Sequence, residues 1–376
     1  MATNSAQMKK NNRLLLLQRI RAGAISRAEL ARQTGLSRAS VTLITDELIR
    51  EGLVSEGEAL KTANGRRPTL LGLRKDAFYA VGLDFCRDGV HLCITNLGMQ
   101  PILSEFIPKD LAPEVTLQRI EATVSRAAKR ERILGVGISA PGPLDVPNQR
   151  ILTPSGMDPW HGFSMQTIRA RLGFPICFEK DTNALAIAEK TAQGQAIDFL
   201  VLLADHGLGS ALIHKGRIFS SSGGFGCELG HTTIDPNGPL CQCGRRGCAE
   251  LSVSIPAFLK KAQGEGISQN WETIVDLAMA ADADCVRLLT DYADRLGEVC
   301  LNAINLYEPA QIVLEGRLAH AHAFLAPRLE AKIHTQAFTE SGRRVRIVAS
   351  LLPTPARAVA AASLMLESFF LGEESL

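Results

Sequence analysis

The chain has 376 residues, 46% of them hydrophobic, 5% aromatic and 21% charged, with a formal net charge of +2. That composition excludes a disordered chain and a disulfide-stapled miniprotein, and it supplies apolar material for two or three compact units. The run Leu14–Leu17 is stopped by Gln18-Arg19, unlike a secretory leader, and no stretch approaches membrane-spanning length, so a cytoplasmic protein with no membrane partner is expected. The small net charge conceals an asymmetry: residues 1–75 hold 14 Lys+Arg against 6 Asp+Glu, and the remainder 27 against 33. The basic end is the candidate surface for a polyanion.

Met1 to Asn12 is polar and reads as a frayed end, followed by a helix in which Leu14, Leu17 and Ile20 share a face up to Gly23. Ser26 with Glu29 three residues on forms a capping box for a helix over Arg27–Thr34, which Gly35 closes. A second cap at Ser37 opens a helix over Arg38–Glu51 that turns Val41, Ile44, Leu48 and Ile49 inward. Two short helices joined by a glycine turn make a helix-turn-helix. Its second helix is expected to expose Arg38, Ser40, Thr42 and Thr45 near the end where such motifs meet base edges and phosphates. Leu53-Val54 and Thr69–Leu73 form a hairpin whose basic tip, Lys61 to Pro68, carries Arg66 and Arg67. The whole predicts a winged helix-turn-helix over residues 1–75, with Ser37, Arg38, Ser40, Thr42, Arg66 and Arg67 as DNA contacts. A small helical subdomain that binds another protein is the alternative.

From Phe78 the pattern turns to strands over Phe78–Phe85, Val90–Thr95 and Ile102–Ile107, then a helix over Glu114–Arg130 and a strand over Ile133–Ser139 that ends in Ala140-Pro141-Gly142-Pro143. A strand over Pro175–Glu179 leads through Lys180-Asp181-Thr182-Asn183 into a small-residue helix over Ala184–Thr191. Asp181 there is a candidate cap for that helix or a site residue at a strand end. The order then repeats with strands over Phe199–Ala204, Ser210–His214 and Arg217–Phe219. Helices follow over Ile255–Ala262, Trp271–Ala280 and Ala283–Leu306, a strand over Gln311–Leu314, a helix over Ala319–Thr335, a strand over Arg344–Ser350 and a helix over Ala356–Phe370. Two halves of this kind over residues 76–376 predict the α/β, two-lobed, duplicated fold of sugar kinases and actin (ribonuclease H-like), with a cleft between the lobes.

The stretch Ser220–Glu250 interrupts the second half with Cys241, Cys243 and Cys248 in C-x-C-x4-C spacing and His231 ten positions ahead. Three thiolates and one imidazole complete a tetrahedron around Zn2+ and leave no position for water, which makes a structural site. Reduced thiols that merely cluster are the plainer alternative. A disulfide is disfavoured, since cysteines one residue apart do not reach its geometry and nothing points to an oxidising compartment. Glu228 and Glu250 flank the histidine, and its second ring N–H is then a fixed donor between two carboxylates, a set suited to a polyhydroxylated ligand. The other cysteines, Cys86, Cys93, Cys177, Cys227, Cys285 and Cys300, read as buried small hydrophobes.

The winged helix followed by E-x-G-H and C-x-C-G-x-x-G-C-x-E (Glu228, Gly230, His231, Cys241, Cys243, Gly244, Gly247, Cys248, Glu250) resembles the ROK family of sugar-responsive repressors and sugar kinases. Pro141-Gly142-Pro143 and Asp181-x-Asn183-Ala184 support the match. The resemblance implies a sugar pocket lined by Asp181, Glu228, His231 and Glu250 beside a structural zinc, with Asp181 as the base in a kinase. The kinases' phosphate turns are altered: D-x-G-G-T reads Asp84-Phe85-Cys86-Arg87-Asp88, G-T-G reads Asp205-His206-Gly207, and Gly-Gly reads Glu315-Gly316. The kinases' Asn before the aspartate is Lys180, either a hook for an acidic or phosphorylated sugar or a lysine turned to solvent or paired with Glu179 or Asp181. The expectation is a dimeric, sugar-responsive regulator, a repressor that reads a palindromic operator and has lost ATP chemistry. An active sugar kinase with an attached regulatory domain is the rival.

Overall fold

The first helix, α1 (Ser5–Ala22), leans on the unit that follows it in the computed structural model, which describes residues 5–57, 69–109, 112–127, 129–194, 197–219, 226–267 and 269–373. β1 (Ile25–Ser26) leads into α2 (Arg27–Thr34), α3 (Arg38–Arg50), β2 (Val54–Glu56) and β3 (Leu70–Leu73), and the three strands pair antiparallel in the order β1-β3-β2. The Ser26 hydroxyl accepts from Glu29 N, Gly35 takes a left-handed conformation, and the Ser37 hydroxyl accepts from Ser40 N, but the Glu29 carboxylate turns to Arg32 and Gln33, so only half of the capping box forms. Two further expectations are corrected. The helix reaches back to Ser5 through the segment read as frayed, because Lys9 pairs with Glu47 and Arg13 with Glu51 across to α3. Thr45 is fully buried rather than exposed, accepting from Arg27 Nε at 3.1 Å and donating to Thr42 O at 3.1 Å. Arg66 and Arg67 at the hairpin tip lie outside the described residues.

The first lobe runs β4 (Tyr79–Cys86), β5 (Gly89–Asn96), β6 (Pro101–Pro108), α4 (Pro113–Ala127), β7 (Ile133–Ala140), β8 (Leu144–Asp145), β9 (Arg150–Ile151), α5 (Gln166–Leu172), β10 (Ile176–Lys180) and α6 (Asp181–Gln193). The second runs β11 (Phe199–Ala204), β12 (Leu208–His214), β13 (Arg217–Ile218), α7 (Glu250–Val253), α8 (Ile255–Gly264), α9 (Trp271–Met279), α10 (Ala283–Tyr307), β14 (Gln311–Glu315), α11 (Arg317–His320), α12 (His322–Gln336) and β15 (Arg346–Ala349), before α13 (Ala356–Leu371). The two five-stranded sheets have orders β10-β7-β4-β5-β6 and β13-β12-β11-β14-β15. In each, a three-stranded antiparallel meander is extended by two parallel strands beside its first strand, so the duplication read from the sequence holds strand for strand. The differences are local. α5 and the β8–β9 hairpin were not expected, the helix read over Ala319–Thr335 is broken between α11 and α12, and α6 begins at Asp181, leaving no room for a cap before Ala184. Cys86 and Cys177 are half-buried, while Cys93, Cys227, Cys285 and Cys300 are buried.

The last helix returns to the first lobe and lies against β4 and β7 at backbone contact. A Cβ at Gly137 would stand 1.8 Å from Ala361 O, one at Gly82 2.0 Å from Ala358 O, and one at Gly135 2.3 Å from Met365 Sδ. Alternate glycines on two strands thus make a flat bed for an alanine-rich helix. Its opposite side closes a core with the N-terminal unit, in which Leu16, Leu17 and Ile20 of α1 join Val359, Leu366, Phe369 and Phe370. The connection at residues 74–77 is pinned as well, with Leu97 N donating to Lys75 O at 2.9 Å and Asn96 Nδ2 to Asp76 Oδ1 at 2.7 Å. Gly137→Ala should therefore lower the thermal midpoint by the equivalent of about 3 kcal/mol or prevent folding, as overpacking does. Gly23→Ala, whose Cβ meets nothing within 4 Å, should stay within about 1 kcal/mol. Equal melting of both variants in differential scanning fluorimetry would refute the glycine bed.

Candidate functional site

Where the lobes face each other a cleft of about 510 Å3 opens, inside the range of about 300–1,000 Å3 usual for small-molecule sites. The end of β10 and the start of α6 bring Lys180, Asp181 and Thr182 to it from the first lobe, and the β11–β12 turn brings Asp205, His206 and Gly207 from the second. Glu228 and His231 enter on a tight 3-10 turn, and Glu250 from the first residue of α7. All five residues read as effector contacts, Lys180, Asp181, Glu228, His231 and Glu250, line this one cavity.

Lys180 is buried, and its Nζ pairs with Glu228 Oε1 at 2.9 Å, with Gly226 O at 3.4 Å. It is neither turned to solvent nor paired with its sequence neighbours; Glu179 instead accepts from the Lys180 amide and from Asn183 Nδ2. Glu250 Oε2 accepts from Leu208 N at 3.2 Å and lies so close to Gly207 that a Cβ there would be 2.4 Å from it. Asp181 Oδ1 accepts from Thr182 N at 2.7 Å. Burial pushes the Asp181 carboxyl above its ordinary range, while the neighbouring Arg357 opposes the shift and Asp84 adds to it.

Arg357, which the sequence reading passed over, sits at the floor of the cleft. Its Nε donates to Asp84 Oδ2 at 2.7 Å, its Nη1 to Asp205 Oδ2 at 3.2 Å and its Nη2 to Asp181 Oδ2 at 3.3 Å. Asp84 is fully buried at the end of β4 and also accepts from Ser139 Oγ at 2.7 Å. Burial would discourage the guanidinium charge, but the surrounding carboxylates outweigh it and raise the pKa further. Asp88 and His206 make a second contact between lobes at 3.2 Å. The signal for Arg357 was a basic residue at the start of an otherwise apolar helix, directly after Pro353-Thr354-Pro355.

Beside the cleft the ligand atoms of His231, Cys241, Cys243 and Cys248 all lie within 4.8 Å of one another. Cys241 Sγ is 3.7 Å from His231 Nδ1, and Cys243 Sγ is 3.5 Å from Cys248 Sγ. These separations are close to the edges of about 3.5–3.8 Å of a tetrahedral zinc site with three sulfur ligands and one nitrogen, when Zn–S is about 2.3 Å and Zn–N about 2.0–2.1 Å. The donor set fits a metal. The loop that holds it is folded tightly: a Cβ at Gly247 would stand 1.5 Å from Asp235 O, and Cys241 N donates to Arg245 O at 2.7 Å.

In the N-terminal unit, Arg38 and Thr42 are exposed at the start of α3 and Ser40 is half-exposed. Ser37 and Ser40 share a hydroxyl contact of 2.9 Å, and Thr42 Oγ1 donates to Arg38 O at 2.9 Å. Arg27 forks to Asp46 on α3 and Glu56 on β2, which fixes the first strand of the hairpin to the helix.

A two-lobed α/β body with duplicated sheets and a polar cleft is the architecture of the sugar-kinase and actin class. The chain belongs to the ROK family, whose model matches residues 80–368. It is 28% identical to the xylose repressor of Bacillus spizizenii over 370 residues, covering 96% of each chain. It is 26% identical over 352 residues to the Escherichia coli DNA-binding transcriptional dual regulator NagC, covering 88% of this chain and 86% of that one. A crystal structure of a ROK family transcriptional regulator, a homologue of the E. coli MLC protein, aligns over 97% of each chain with a TM-score of 0.80 at 24% identity. The ROK hexokinase of Thermus thermophilus aligns over 76% of this chain and 97% of its own, with a TM-score of 0.62 at 24% identity. No helix among the described residues is long and apolar enough to cross a membrane.

At the end of β14 the buried Glu315 has one oxygen without a hydrogen-bond partner among the described residues. Burial, helped by the Glu189 charge, pushes its carboxyl up to about 8 against 4.5 for a free side chain, with Ser350 and the Gly316 amide opposing. The folded chain therefore keeps a proton that the unfolded chain releases. The stability tied to that proton is intact below about pH 4.5 and is lost as pH rises toward about 8. Glu315→Gln should gain on the parent in stability by on the order of 1 kcal/mol per pH unit between about pH 5 and pH 8. Denaturant titrations that show a constant difference across this range would contradict the assignment.

Proposed function

We propose that this protein is a sugar-responsive DNA-binding transcriptional regulator that represses carbohydrate-metabolism genes. In this reading residues 1–75 are a winged helix-turn-helix, and residues 76–376 are a kinase-like effector body without phosphoryl-transfer activity. The observation that carries it is the seam between α1 and α13, which builds the N-terminal unit into the same core as the helix bearing Arg357. The repressor names of the relatives support it. Ser37, Arg38, Ser40 and Thr42 of α3, with Arg66 and Arg67 of the wing, are the proposed DNA contacts, and a homodimer would present two such units to a palindromic operator.

Asp181, Glu228 and Glu250 present carboxylate acceptors, and the zinc-bound His231 would hold a ring N–H in fixed orientation beside them. Of the cations lining the cavity, Lys180 is paired with Glu228 and Arg357 with three aspartates, while Arg87 stands at its phosphate-turn side. A neutral sugar, whose hydroxyls donate to carboxylates, suits this balance better than an acidic or phosphorylated one, which would meet uncompensated negative charge. Lys180, held by Glu228, is then not a hook for an anion. The same balance disfavours a triphosphate: Asp84 and Asp205 are engaged with Arg357, and Asp88 with His206, at the turns where the family's kinases hold phosphate. Zinc would be held by His231, Cys241, Cys243 and Cys248, closing the loop and orienting the imidazole.

Duplexes selected from a random pool by full-length protein should share a two-fold-symmetric element, and D-xylose should weaken their binding at least about tenfold in anisotropy titrations, a coupling of about 1.4 kcal/mol. Arg38→Ala should cost about 1–3 kcal/mol and relax the sequence preference, while Arg67→Ala should weaken all duplexes alike. Sugar-dependent ADP release that Asp181→Ala abolishes would replace this reading with that of a sugar kinase. The purified protein should contain one zinc per chain by mass spectrometry, and Cys243→Ser should lose both metal and sugar affinity. Full sugar affinity without metal would contradict the role given to the loop.

A further inference from the structure

Two helices connect the cleft to the N-terminal unit, and both present their first turn to the cleft. α6 begins at Asp181 and ends beside α1, where Thr191 Oγ1 accepts from Arg21 Nη2 at 3.4 Å and Lys190 pairs with Glu367 at 2.5 Å. α13 carries Arg357 in its first turn and Glu367 and Phe370 in its last, and these also meet α1. Arg21 pairs with Glu367 at 3.4 Å, its guanidinium lies 4.1 Å above the Phe370 ring, and Gln18 Nε2 donates to Phe370 O at 2.9 Å. Ten residues of α6 and thirteen of α13 separate the two ends, about 15 and 20 Å at 1.5 Å per residue. Because α13 rests on glycines at backbone contact, it cannot yield locally to a pull at its first turn; it moves as a rod or stays.

The guanidinium at the cleft end is anchored on both lobes. Asp84 and Asp181 belong to the first lobe, and Asp205 lies in the β11–β12 turn of the second. A change in lobe separation alters the Asp205 arm first, and a ligand that recruits Asp181 alters another. Each arm acts on the same side chain, and through it on the two helices that hold α1.

We infer that Arg357 is a positioning residue that ties the two lobes at the cleft floor and sets the seat of the N-terminal unit on α13. The inference rests on the proposed regulatory reading for its purpose, but its physical content does not need DNA or sugar. In sugar-free, full-length protein, Asp205→Ala removes the second-lobe anchor and leaves Asp84 and Asp181 on Arg357. Hydrogen exchange followed by mass spectrometry should show at least about fivefold faster exchange in α1 over Leu14–Ala22 and along α13, with α9 and α10 unchanged. Arg357→Lys keeps the charge but cannot reach three carboxylates together, and it should give the same distant response. Faster exchange confined to residues 205–208 and the first turn of α13, or spread evenly over both lobes, overturns the inference in either folded variant. Failure of the parent protein to bind any duplex would remove the regulatory reading and leave this result standing.

Discussion

Three aspartates cannot converge at the floor of a cleft without a cation among them, and here the cation is a side chain of the protein itself. Arg357 meets Asp84, Asp181 and Asp205 with three different nitrogens. Removing it would leave buried carboxylates unpaired, a cost of several kcal/mol in general terms. The constraint extends further than the cleft. For the guanidinium to reach its partners α13 must lie flat on β4 and β7, which requires glycine at 82, 135 and 137; lying there, the helix offers its outer side to α1. Charge at the cleft, close packing on the sheet and the placement of the N-terminal unit are consequences of one helix in one position.

The cleft has the same economy. Lys180 and Arg357 are already held by acids that outnumber them, so what these groups offer a ligand is mainly hydrogen-bond acceptors. Lys180 is the clearest instance: a lysine beside the cleft carboxylates invites an anionic ligand on paper, yet it is held 2.9 Å from Glu228. The cysteine loop stands next to this set and shares His231 with it, so a metal there would stiffen the pocket wall without entering any reaction.

Much of this was legible in the sequence because the signals were local. Ser26, Gly35 and Ser37 announce α2 and α3 almost to the residue, and the repeated strand order from Tyr79 and from Phe199 announces the duplication. The close set of three cysteines and a histidine announces the side-chain cluster that could hold a metal ion. What escaped depended on partners far apart in the chain. Thr45 looks exposed until Arg27 closes over it, Lys180 finds Glu228 48 residues away, and Arg357 finds Asp84 273 residues away. The glycines of β4 and β7 were visible as letters, but their purpose appears only when a helix from the opposite end of the chain lands on them. No periodicity encodes such pairings.

If the cleft and the N-terminal unit, as the proposed DNA-binding element, are linked through α13, the linkage must be reciprocal. The most direct test is the affinity of whichever sugar releases the selected duplex, measured calorimetrically for the full-length protein alone and for the same protein saturated with that duplex. Bound DNA should weaken the sugar by the same factor by which sugar weakens the DNA. Identical sugar affinity in the free and DNA-bound protein would contradict it.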